Sequence, residues 1–78
     1  MRMEYVVVSY PTARDVLIDG QIAGKTNEPP LRVERGHHVF DLGEPLDYKP
    51  ASIEKSVRDT TSTKPMLIKD FRPSGGNR

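Results

Sequence analysis

The segment Ser9-Tyr10-Pro11-Thr12-Ala13-Arg14-Asp15-Val16-Leu17-Ile18-Asp19-Gly20 constrains the fold more than any other. Pro11 has no amide proton to give to a ladder, so the apolar run Tyr5-Val6-Val7-Val8 before it predicts a strand that ends there. A second strand restarts over residues 15–18. Asp19-Gly20 then stands where a two-residue hairpin loop needs positive φ at both central positions, a geometry that Gly adopts freely and Asp tolerates. The chain is expected to fold back through Gln21-Ile22-Ala23.

The period stays close to two beyond that hairpin. Gly24 and Asn27-Glu28-Pro29-Pro30 break the chain before Leu31-Arg32-Val33-Glu34, an alternating strand. Arg35-Gly36 offers a turn, and residues 37–42 follow as a strand with His38, Phe40 and Leu42 on one face and His37, Val39 and Asp41 on the other. Gly43-Glu44-Pro45-Leu46-Asp47 reads as a loop. Residues 53–57 and 66–68 are the last two strands expected, separated by the polar tract Asp59-Thr60-Thr61-Ser62-Thr63-Lys64. Residues 72–78, containing Ser74-Gly75-Gly76-Asn77, read as a flexible C-terminal tail behind one domain at 4–71. No window carries helical spacing. The predicted fold is all-β, a small antiparallel β-sandwich of six to seven short strands.

At 78 residues without a single cysteine, the chain has no disulfide, no thiolate zinc site and no cysteine nucleophile, so packing alone must hold it. Twelve Lys and Arg are interleaved with eleven Asp and Glu, a balance that favours neither nucleic acid nor an anionic membrane. The longest apolar run is far short of the roughly 20 residues that span a bilayer. Met1-Arg2-Met3-Glu4 leads directly into the first strand, which points to the cytoplasm rather than to export.

Ser9-Tyr10-Pro11, Val16-Leu17-Ile18-Asp19-Gly20, Gly24-Lys25-Thr26, Leu31, Gly36-His37-His38 and Tyr48-Lys49-Pro50 follow one another in the order and spacing of the PEGA domain. The chain resembles that family over about residues 4–70. The resemblance implies a transthyretin-like or carboxypeptidase-regulatory-like β-sandwich working as a non-catalytic accessory, scaffold or cell-surface module. Three positions depart from the family pattern. Ala13-Arg14 replaces a usual Gly-Ala, Asn27 replaces a proline, and Asp47 replaces the glycine before tyrosine, where an aspartate tolerant of left-handed geometry would keep the turn.

No constellation in the sequence carries catalysis. Adjacent strand residues point to opposite faces, so His37 and His38 cannot share one metal ion, and His38 is expected as a hydrogen-bonded core histidine. Asp15, Asp19, Asp41 and Asp47 sit mainly at turns or outward positions, as solvated carboxylates do. No nucleophile motif and no phosphate-binding glycine loop is present. The expectation is a non-enzyme without cofactor or metal.

The S-x-P register of the resemblance places Tyr5 and Val7 inward with Val16, Ile18, Leu31, Val33, Phe40 and Leu42. Val6, Val8 and Tyr10 then point outward, with Leu17 and Val39 as outward neighbours, an apolar stripe suited to docking on another protein or assembly, a second copy included. Arg14, Arg32 and Arg35, near His37, form a secondary candidate patch for a nucleic-acid-contacting accessory protein. A carbohydrate or cell-envelope binding module is the other alternative, although three tyrosines, two phenylalanines and no tryptophan provide little stacking platform.

Overall fold

The computed structural model describes residues 2–74. Among them are nine short strands and no helix: β1 (Met3–Val8), β2 (Asp15–Ile18), β3 (Gln21–Lys25), β4 (Leu31–Glu34), β5 (Gly36–Asp41), β6 (Tyr48–Lys49), β7 (Ile53–Val57), β8 (Met66–Ile68) and β9 (Arg72–Pro73). They form a three-stranded sheet in the order β4-β1-β8, a four-stranded sheet in the order β3-β2-β5-β7, and the ribbon β6-β9. No helix is long and apolar enough to cross a membrane among the described residues.

The Asp19-Gly20 turn forms as the residues require. Asp19 has φ 54° and Gly20 φ 85°, the two positive values of a hairpin loop that follows strand twist. At the next corner Arg35 and Gly36, the latter with φ 131°, carry the chain from β4 in one sheet to β5 in the other. Gly24 of β3 lies so close under the Leu31 side chain that a Cβ there would collide with it.

Several features differ from the sequence expectation, beginning with nine strands among the described residues where six to seven were expected. The sandwich is not antiparallel throughout, because β8 runs parallel to β1 with Val7 opposite Leu67. A parallel pair cannot be joined by a tight turn: β2 to β7 lie between these two strands in the chain, and residues 58–65 then carry it from β7 in one sheet to β8 in the other. The expected tail also begins too early at residue 72: Arg72 and Pro73 pair with Lys49 and Tyr48, and the Ser74 N–H donates to the Asp47 carbonyl at 2.9 Å. Residues 75–78 of that tail lie outside the described residues. Strands of two residues, such as β6 and β9, have no alternation to read. Asp47 does not take the left-handed conformation expected of it; in that loop Gly43 does, with φ 67°.

The faces of β1 are the reverse of those expected. Val6, Val8 and Tyr10 are 0%, 1% and 7% exposed in the core, whereas Tyr5 and Val7 are half-buried on the outside. Register explains this. Directly opposed residues share a face, Glu4 lies opposite the buried Val33, and Val8 lies opposite the buried Ile68. Each fully buried valine contributes about 1.5–3 kcal/mol. The inward phase also carries Glu4 into the interior, and that is tolerable only because its Oε1 accepts from both the Thr60 N–H at 2.8 Å and the Thr60 hydroxyl at 2.6 Å. Those two bonds hold the Glu4 carboxyl below the usual range. Thr60 Oγ1 in turn accepts the Tyr5 N–H at 2.8 Å, fastening the crossover to β1.

Candidate functional site

The residues predicted to dock a partner divide between the core and the surface. Val6, Val8 and Tyr10 are core residues and can present nothing to a partner without unfolding. Leu17 and Val39 keep the outward orientation expected of them, half-buried on the outer face of the four-stranded sheet. Leu17 lies across the ladder from Ile22, which is 68% exposed, and its Cδ1 covers Gly43.

The arginine patch does not assemble as expected. Arg14 packs inward, with a side chain only 13% exposed. It donates to Asp47 Oδ1 at 2.7 Å and to the Pro45 carbonyl at 2.7 Å, and its guanidinium carbon lies 5.2 Å from the Tyr48 ring centroid and 5.8 Å from that of Tyr10. Both distances fall within cation–π range. The bond to Asp47 raises the Arg14 pKa and holds the Asp47 carboxyl below its ordinary value. Arg14 is therefore committed to closing the loop before β6. Arg32 is exposed in β4 opposite Tyr5, and exposed Arg35 stands at the corner between the sheets, its N–H donating to the Arg2 carbonyl at 3.0 Å.

Two of the three positions singled out in the sequence as departing from the expected motif are partners in this contact, since Arg14 and Asp47 stand 33 residues apart and meet. The third, Asn27, has φ 61° and turns its side-chain amide onto Tyr10, with Oδ1 accepting the Tyr10 N–H at 3.0 Å and Nδ2 donating to the Tyr10 carbonyl at 2.7 Å. The amide replaces a strand partner two residues beyond the end of β1, just before Pro11. Beside it, buried Thr26 accepts the Arg14 N–H at 2.9 Å and donates to the Thr12 carbonyl at 2.8 Å.

The histidines diverge. His37 faces out, 3.6 Å from Glu54, whereas His38 lies on the Phe40 side of β5 and contacts Asp19. Among the described residues no three His, Cys, Asp or Glu side chains converge as a metal site would require, and the surface forms no enclosed pocket.

What the three-stranded sheet offers instead is an outer face. Tyr5 and Val7 project from the central strand, Leu67 stands beside Val7 on β8, and Arg32 stands beside Tyr5 on β4. Leu67 is 58% exposed, and Met3 extends the same row as a half-buried side chain. Sequence reasoning missed Leu67 because a three-residue strand defines no phase by itself. Its place follows only from the pairing with β1.

Comparison with protein-family models, curated proteins and solved structures gives no match to this chain.

Proposed function

We propose that this chain is a PEGA-like β-sandwich serving as a non-catalytic protein-interaction or accessory subunit, which docks on a larger protein or assembly in the cytoplasm. The docking surface is the outer face of the three-stranded sheet, centred on Val7 and Leu67 with Tyr5 at its edge. The observation that carries this reading is the contiguity of those side chains: a 58% exposed leucine lies directly across the ladder from a half-buried valine, on a sheet whose opposite face is the core. Arg32 and Glu34 border the row with opposite charges, the polar margin that interaction surfaces carry. Packing and main-chain clamps close the sandwich without cysteine, so an oxidising compartment is not required.

The ordered PEGA-like motif supports the family reading through its turns, since Val16-Leu17-Ile18-Asp19-Gly20 forms strand and left-handed hairpin together. A nucleic-acid role is less well supported, because Arg14 is taken up by Asp47, Pro45 and the two tyrosines.

Leu67→Lys and Val7→Thr, made together, should leave the fold intact and remove the partner from a native-lysate pull-down read by mass spectrometry. Ile22→Lys on the other sheet should retain it. A folded double variant that captures the same proteins as the parent rejects this face.

A further inference from the structure

His38 occupies the end of the sandwich where the Asp19-Gly20 turn and the end of β4 come together. Its side chain is 14% exposed, and its ring meets Phe40 edge-on at 6.4 Å. Nδ1 lies 2.6 Å from Asp19 Oδ2, and Nε2 lies 2.6 Å from the main-chain carbonyl oxygen of Glu34. A carbonyl oxygen can only accept, so Nε2 carries a proton. The Asp19 carboxylate also only accepts, taking the Val39 N–H on Oδ1 at 2.9 Å, so Nδ1 carries one too. A ring with both protons is an imidazolium. Its two bonds join β5 to the turn of its own sheet and to β4 of the other sheet.

We propose that His38 is a proton-operated latch: the imidazolium ties the Asp19-Gly20 turn and the end of β4 to β5, and loss of one ring proton breaks one of these two bonds and loosens that corner, where the Asp19 N–H to Val39 carbonyl bond at 2.7 Å remains. A neutral ring has a single N–H to donate. The bare nitrogen would face an acceptor oxygen at 2.6 Å, lone pair against lone pair, and must move away.

The charges around the ring favour the closed state. Asp19 and the Glu34 carboxylate attract the cation. Lys55, opposite His38 on β7, has its ammonium 3.2 Å from Asp70, which offsets it. Burial is the largest single influence on His38 and disfavours the charge, but the bonds to Asp19 and the Glu34 carbonyl, with the two carboxylate charges, outweigh it and leave the pKa raised. Asp19 is held low, first by the Val39 N–H and then by His38. A raised histidine stabilises the fold fully below its unfolded value of about 6.5 and loses that contribution as pH rises through the folded value. The latch thus opens on the alkaline side. At the other end of β2 the Arg14–Asp47 pair has no such response, because a guanidinium stays charged. The latch goes beyond the docking reading and does not rest on it.

Ring 15N and 1H shifts of His38, followed by NMR against pH in the full chain and again in concentrated urea, test the latch. Both ring nitrogens should carry protons in the folded chain, with a titration midpoint above that in urea. Exchange of the Val39 or the Arg35 amide, on the side where the bond breaks, should accelerate across that midpoint by roughly tenfold more than the base-catalysed rise. The Thr26 amide, bonded to the Arg14 carbonyl at 2.9 Å, should follow the base-catalysed rise alone. Asp19→Asn keeps an acceptor for the Val39 N–H and should lower the His38 midpoint. A midpoint at or below the urea value, an unchanged midpoint in folded Asp19→Asn, or Val39 and Arg35 amides, one on each side of the ring, that both respond like the Thr26 amide would each overturn the latch. Should Asp19→Asn not fold, the comparison of folded chain with urea and of the amides decides by itself.

Discussion

Tyr5 and Val7 on one side of β1 are as apolar as Val6 and Val8 on the other, yet the first pair faces outward and the second forms the core. The strand's own composition does not distinguish its faces. Its neighbours do: Val33 on β4 and Ile68 on β8 are buried, and pairing brings Glu4 and Val8 onto their side. Which half of an apolar strand becomes core and which becomes an outer face is thus decided by register, and a shift of one residue exchanges them.

Substitutions on the two sides should separate by size of effect. Val6→Thr keeps strand propensity but places a hydroxyl in a fully buried position, and is expected to cost about 1–3 kcal/mol in a thermal or urea melt. Val7→Thr should stay within about 0.5 kcal/mol of the parent. Equal losses would break the distinction between the faces.

Next comes the clamp that ends the inner row. Asn27→Ala removes both amide bonds to Tyr10 and places alanine at φ 61°, which should cost about 1–2 kcal/mol by the same melts. Asn27→Asp keeps only the acceptor and should lie between the two. An unchanged midpoint for Asn27→Ala would mean that Tyr10 is held by packing alone.

Glu4 sharpens the contrast through pH. Its carboxyl is held low by Thr60, so its contribution is present above the unfolded value of about 4.3 and is lost as pH falls through the lower folded value. Glu4→Gln should therefore be less stable than the parent near neutral pH, with the gap closing in acid. A gap that stays constant from neutral pH into acid would show that the carboxylate charge contributes nothing there. Leu67→Lys, on the outer face, should show the smallest stability change, within about 0.5 kcal/mol at any pH, while abolishing association. A large loss of stability in Leu67→Lys would place that side chain under cover of the chain itself.

Much of the fold was legible because local chemistry and global position agree. β1 stops before Pro11, Asp19-Gly20 turns the hairpin, and the alternation of β2, β4 and β5 gives their buried faces correctly. The divergence of His37 and His38 followed from the strand period alone. What was hidden depends on partners remote in sequence. Nothing local marks Glu4 for burial, since Thr60, which satisfies it, lies 56 residues away. Arg14 reads as a free cation until the loop bearing Asp47 folds over it. Leu67 acquires its place only from the parallel pairing with β1, a connection that no local pattern announces. The outer row was therefore assigned to Val6, Val8 and Tyr10, which form the core, and Tyr5 and Val7, expected inside, face outward.

The absence of native cysteine makes the central claim open to direct measurement, since single-cysteine variants at Val6, Val7 and Leu67 label against no background. Under native conditions Leu67→Cys should react with a maleimide fastest, Val7→Cys more slowly, and Val6→Cys only at the rate of global unfolding. Labelling of Val6→Cys as rapid as that of Leu67→Cys, in a protein shown to be folded, would contradict the account.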